Sequence, residues 1–161
     1  MTNLSPQAVL DAVSDVSNLW FDIELDLLQR TWQCGHVRVV VLLASHQTTS
    51  DAQLLARVIS RTGSGRLLPA EWFPNVYFQH VNLESLKSLI TYAINDITEN
   101  SYLISNSMES LLKSLPCEDI QNIFEIEAHK NPGSPFNYGP TYQMFWKKGD
   151  YFYYLEHHYE S

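Results

Sequence analysis

The 161-residue chain has no apolar stretch long enough to cross a membrane. Its longest run covers residues 39–44, whereas a spanning helix needs roughly 18 such residues. Cysteine is scarce as well. Cys34 and Cys117 are the only two, far apart and outside any CxxC spacing, so no disulfide framework is expected and a reducing compartment is. Residues 1–7 lack the basic start and apolar stretch of a secretory leader. A cytoplasmic location follows as the expectation, with no membrane association.

Motifs with a fixed chemistry are missing too. There is no P-loop, no GxGxxG, no HExxH and no GxSxG elbow. The glycines of Gly63-Ser64-Gly65 open no evident helix and are read as a flexible connection. No repeat, low-complexity tract or Pro/Gly/Ser-rich linker divides the chain, so residues 1–161 are expected to form a single globular domain.

Basic residues are absent from the first 29 positions, which hold five acids: Asp11, Asp15, Asp22, Glu24 and Asp26. Residues 30–66 carry all five arginines (Arg30, Arg38, Arg57, Arg61 and Arg66) against one acid, Asp51. Residues 67–161 carry twelve acids and five lysines, and the net charge is −8. Most of such a surface repels a phosphate backbone, which argues against nucleic-acid binding.

Periodicity supplies the expected elements. Ser5-Pro6 is a helix start, with serine to cap and proline at the first helical position. Val9, Leu10, Val13, Val16, Trp20, Ile23 and Leu27 recur at spacings of three and four, which predicts a helix over about 6–32. The valine-rich segment 37–44 predicts a buried strand, although periodicity alone does not exclude a helix there. The cluster Thr48-Thr49-Ser50-Asp51 caps a second helix, closed by Gly63. Residues 63–74 form a loop and 76–81 a strand. Asn82 caps a third helix, and residues 107–115 form a fourth that ends before Pro116.

From position 121 the pattern changes to period two. Phe124, Ile126 and Ala128 alternate with Glu125, Glu127 and His129, as in a half-buried strand. Residues 131–140 are rich in turn formers. Strands 141–147 and 151–159 flank Lys148-Gly149-Asp150 and make the clearest hairpin in the chain. The fold class is therefore α+β, with N-terminal helices packed on a mainly antiparallel sheet that ends in a C-terminal aromatic hairpin.

Chemistry-bearing residues are scattered. Of six histidines, His157 and His158 are neighbours on a strand and must face opposite ways. Cys34 and His36, at i and i+2, could face together on a strand, but no second ligand pair lies near them. No metal and no cofactor is expected. Ser45, His46 and Asp51 are the residue types of a hydrolytic triad, but adjacency in sequence does not make one. His80, near a strand end, is a candidate general base. No catalytic residue is assigned.

The C-terminal hairpin is the most unusual feature. Residues 136–161 hold six of the nine tyrosines. Tyr151 and Tyr153 fall on one face, and Phe152, Tyr154 and Glu156 on the other. Phe152 and Tyr154 are expected in the core, with Tyr151 and Tyr153 outward. Exposed tyrosine flanked by acid is typical of protein-recognition surfaces, and the N-terminal acids suit a basic partner.

The sequence thus points to a binding module that captures a basic protein, in character like an acidic inhibitor of a toxin or nuclease of the immunity-protein kind. Asp15, Asp22, Asp26, Tyr151, Tyr153 and Glu156 are its candidate contacts. The alternatives are a small enzyme using His46 or His80, or a homo-oligomer subunit paired through the hairpin edge.

Overall fold

A computed structural model describes residues 4–16, 19–32, 35–43, 49–62, 76–101, 105–128 and 141–159. The elements run α1 (Pro6–Val13), β1 (Ile23–Trp32), β2 (Gly35–Leu43), α2 (Asp51–Thr62), β3 (Val76–Val81), α3 (Leu83–Ser101), α4 (Asn106–Ser114), β4 (Gln121–Ala128), β5 (Thr141–Lys148) and β6 (Tyr151–Tyr159). The strands form one antiparallel six-stranded sheet in the order β1-β2-β6-β5-β4-β3. The expected α+β class is what the chain adopts.

Local chemistry explains the helix starts. Ser5 accepts from the Ala8 amide at 3.1 Å, and Pro6 is the first helical residue of α1. Ser50 and Gln53 cap α2 reciprocally, each side chain accepting from the other's amide, at 3.1 and 2.9 Å. Asn82 accepts from the Ser85 amide at 2.9 Å to open α3, and Ser105 does the same for Met108 of α4 at 3.2 Å.

The sheet separates two cores. Val40 and Leu42 of β2, Phe152 and Tyr154 of β6, Phe145 and Ile126 face α1 and α2 with Val9, Leu55 and Val58. Val37, Val39, Leu155, Met144 and Trp146 face α3 and α4 with Leu86, Ile90, Ile97 and Leu112. β2, β4, β5 and β6 thus serve both cores through their period-two alternation.

The helix expected over 6–32 is not formed. α1 stops at Val13, and residues 23–32 are strand β1. Ile23, Leu25 and Leu27 alternate with Glu24 and Asp26, which is also a strand pattern. Pairing along the whole length of β2 decides between the two. Asp22 and Asp26 are therefore not neighbours on a helix face. The hairpin is not an edge either: β6 lies between β2 and β5, and β5 between β6 and β4. Both its outer edges are occupied, which removes the expected oligomerisation edge. The outermost strands are β1 and β3.

The loop expected over 63–74, the turn-rich segment 131–140, Gly63, Cys34, Ser45 and His46 lie outside the described residues. Among the described residues, no helix is long and apolar enough to cross a membrane.

Candidate functional site

The charge segregation along the sequence becomes pairing in the fold. β1 carries two of the N-terminal acids, Glu24 and Asp26, alongside the arginines of β2 and α2. Glu24 receives Arg57 Nε and a second guanidinium nitrogen at 2.8 and 3.1 Å. Asp26 receives Arg38 at 3.3 and 3.5 Å. The Arg57 guanidinium also lies over the Phe21 ring, 5.8 Å from its centroid.

A polar cluster continues from Arg38 along the α1–α2 side of the sheet. Arg38 is the register partner of Glu156, and His36 that of His158. The Glu156 carboxylate meets His36 Nε2 at 2.6 Å, accepts the Tyr154 hydroxyl at 2.8 Å and accepts Gln143 Nε2 at 3.1 Å. Its side chain is only 13% exposed. Burial pushes the Glu156 carboxyl up, but the bonds from His36 and Tyr154 and the charge of Arg38 outweigh it and hold the group below its ordinary range. Gln143 Nε2 also reaches the Tyr154 hydroxyl at 2.5 Å. His36 and His158 stack with ring centroids 5.3 Å apart.

On the opposite face, His157 is fully buried, with Nε2 2.8 Å from Asp96 Oδ2 on α3. Burial pushes the His157 pKa down, and Asp96 offsets only part of that. The ring is therefore neutral at pH 7 and ties α3 to β6. Tyr92 packs edge-on against it, 5.0 Å between centroids.

The six expected contact residues separate into three placements. Asp15 lies exposed in the turn after α1. Asp22 is exposed at the bend before β1, where its amide donates to the Leu43 carbonyl at 2.8 Å. Tyr151 is the register partner of that same Leu43 and is 38% exposed. Asp22 and Tyr151 therefore flank Leu43 at one end of the sheet, two strand spacings or roughly 10 Å apart. Leu25, two residues further along β1, is 51% exposed. It shares the face of Tyr151, because its register partner Val41 alternates with the inward Val40 and Leu42. Asp150 of the hairpin turn is exposed beside Tyr151.

Asp26 and Glu156 belong instead to the ionic and polar cluster on the other face. Tyr153, expected outward, is half-buried against the second core, stacked on Trp146 with centroids 5.6 Å apart. The expectation fails there because α3 and α4 cover the face that it assigned to solvent. Phe152 and Tyr154, expected inward, are 1% and 0% exposed.

The histidines singled out for catalysis find no catalytic setting. His80 is exposed, 3.5 Å from the Asn122 side-chain oxygen and edge-on to Phe124, and it meets no carboxylate among the described residues. Asp51 is paired with Lys147 at 2.6 Å. Among the described residues, no group of three or more His, Cys, Asp or Glu could hold a metal. Sequence reasoning missed His36, Arg38 and Gln143. The alternation of His36 and Arg38 with buried valines was the signal that both share one face of β2.

The chain matches no family model, no curated protein and no solved structure.

Proposed function

We propose that this chain is an acidic protein-binding module that captures a basic protein, in the manner of an inhibitor of a toxin or nuclease. The observation that carries the reading is the end of the sheet around Leu43. There Tyr151 and Leu25 stand exposed on one face, with Asp22 and Asp150 at the margin. A rigid aromatic and an aliphatic side chain rimmed by carboxylates is the composition of a recognition surface rather than of a solvated sheet end. The net charge of −8 favours a basic partner and speeds its encounter.

Asp15 and Asp22 act in this reading as steering charges and Tyr151 as the anchor. Asp26, Tyr153 and Glu156 support the fold behind the surface: each is engaged with Arg38, Trp146 or His36.

Affinity capture from the native host, followed by mass spectrometry, tests the reading. The chain should retain a basic protein at about 0.15 M salt, and a Tyr151→Ala variant of unchanged melting temperature should lose it. Retention of acidic proteins only, or equal retention by the variant, would reject the reading.

A further inference from the structure

The two halves of α3 are held in different ways. Residues 83–90 carry good helix formers, the Asn82 cap and the Glu84–Lys87 pair at 3.3 Å. Residues 91–101 include Thr91, Asn95, Asp96, Thr98, Asn100 and Ser101, all weaker formers. The Thr91 and Thr98 hydroxyls donate back to the Lys87 and Ile94 carbonyls at 3.0 and 2.8 Å, a bond that slightly weakens a helix. The last turn holds Glu99 and no base, the wrong charge for a helix C-terminus. A segment of this length and composition is not a stable helix by itself. Packing of Ala93, Ile94 and Ile97 on the second core holds it, together with a polar tie.

That tie is the 2.8 Å contact between Asp96 Oδ2 and His157 Nε2, with Asp96 5% and His157 0% exposed. Tyr92 of α3 and Tyr142 of β5 pack against the imidazole, and Val37 of β2 is its register partner. Arg30 of β1 holds the register position beyond Val37. His36, Glu156 and His158 belong to the opposite face of the sheet. A proton on the closed ring would be a buried charge. Burial opposes it more than Asp96 favours it, and the charge of His36 opposes it further. A solvated imidazole takes up a proton near its ordinary 6.5. The open segment therefore binds a proton that the closed one resists.

We propose that the C-terminal half of α3 is an acid-released flap: the Asp96–His157 contact latches it at neutral pH, and a proton taken up by His157 holds it open as the pH falls, while the rest of the sheet stays closed. The release is local, unlike a general loss of stability in acid, and it uncovers the part of the second core that Ala93, Ile94 and Ile97 cover.

Hydrogen exchange of the full native chain at pH 7 and pH 5, corrected for the intrinsic rate, reads the opening segment by segment. Between these two values the opening equilibrium at residues 95–101 should rise by about 5- to 25-fold. Amides of α2 and β2 should change by less than about twofold. His157→Gln should abolish the rise, and His36→Gln, on the opposite face, should keep it. In the native chain the His157 ring, followed by NMR, should titrate below 6.5 and in step with the loss of protection in α3.

A ring that takes its proton while residues 95–101 stay protected overturns the proposal, because the closed pair then accepts the charge. An equal rise at α2 and β2 also overturns it, since the event is then global unfolding. So does a rise that survives His157→Gln, or the absence of any rise in the native chain. Should His157→Gln fail to fold, the exchange and ring titration of the native chain decide between these outcomes.

Discussion

Tyr153 lies flat on Trp146, their ring planes within 1° of parallel across the β5–β6 pair. The contact means that the aromatic hairpin serves both cores. Phe152 and Tyr154 fill one, and Tyr153 closes the other beside Trp146. Tyr151, at the end of β6, is left to solvent, as is Tyr142 of β5, each 38% exposed. Alanine at these positions should therefore give a graded series in denaturant unfolding. Phe152→Ala should cost about 3–5 kcal/mol. Tyr153→Ala should cost roughly 1–3 kcal/mol, part of it the stacking term. Tyr151→Ala should change stability by less than about 0.5 kcal/mol. A silent Tyr153→Ala would show that the second core does not need this ring.

Much of this arrangement was legible in the sequence. The valines of β2, the alternation of β4, the caps Ser5 and Asn82 and the hairpin around Gly149 each announce themselves through local chemistry. Residues 23–32 did not, because Trp20, Ile23 and Leu27 fit a helical stripe while Ile23, Leu25 and Leu27 fit a strand. Only the ladder with β2, invisible locally, separates the two. Tyr153 was misplaced for a related reason: alternation assigns residues to faces, but does not say that a second pair of helices covers the other face. The Glu156 cluster brings His36 of β2 to Gln143 and Glu156 of the hairpin, with 120 positions between His36 and Glu156, and no local pattern joins them.

The buried His157 sets one pH limit. Its pKa is lowered in the fold from an ordinary 6.5. The unfolded chain therefore takes up a proton more readily than the folded one. Its contribution to stability is complete above about pH 6.5 and declines as the pH falls below that value. A His157→Gln variant, which keeps a donor for Asp96, should be less stable at pH 7 and show a flatter slope between about pH 6.5 and 5. An unchanged slope would place the proton uptake elsewhere.

Glu156 sets a second, more acid limit. Its pKa is lowered from 4.5, so the stability it contributes is complete above that pH and is lost as the pH falls further. Tyr154→Phe removes the hydroxyl donor 2.8 Å away while keeping the ring in the core. The variant should lose about 1–3 kcal/mol at pH 7. The Glu156 carboxyl carbon, followed by NMR titration, should move towards neutral pH. A titration identical to that of the native chain would exclude the hydroxyl as a cause.

Gly149 turns the hairpin with φ of +60°, and no atom lies within 4 Å of where its Cβ would stand. The cost of a side chain there is backbone strain alone. Gly149→Ala should lose about 1–2 kcal/mol, and Gly149→Asn, which tolerates the left-handed region, distinctly less. Equal losses would point to a steric cause instead.

In the proposed function Tyr151 anchors, and Asp15 and Asp22 steer, a basic partner at the Leu43 end of the sheet. The most direct measurement is the binding kinetics of the captured partner with three proteins: the native chain, Tyr151→Ala and the double variant Asp15→Asn, Asp22→Asn. Tyr151→Ala should weaken binding by about 2 kcal/mol or more, chiefly through faster dissociation, at unchanged melting temperature. The double variant should associate more slowly and with a flatter dependence on salt, its dissociation little altered. Native kinetics in both variants would contradict the account and place the partner on another surface.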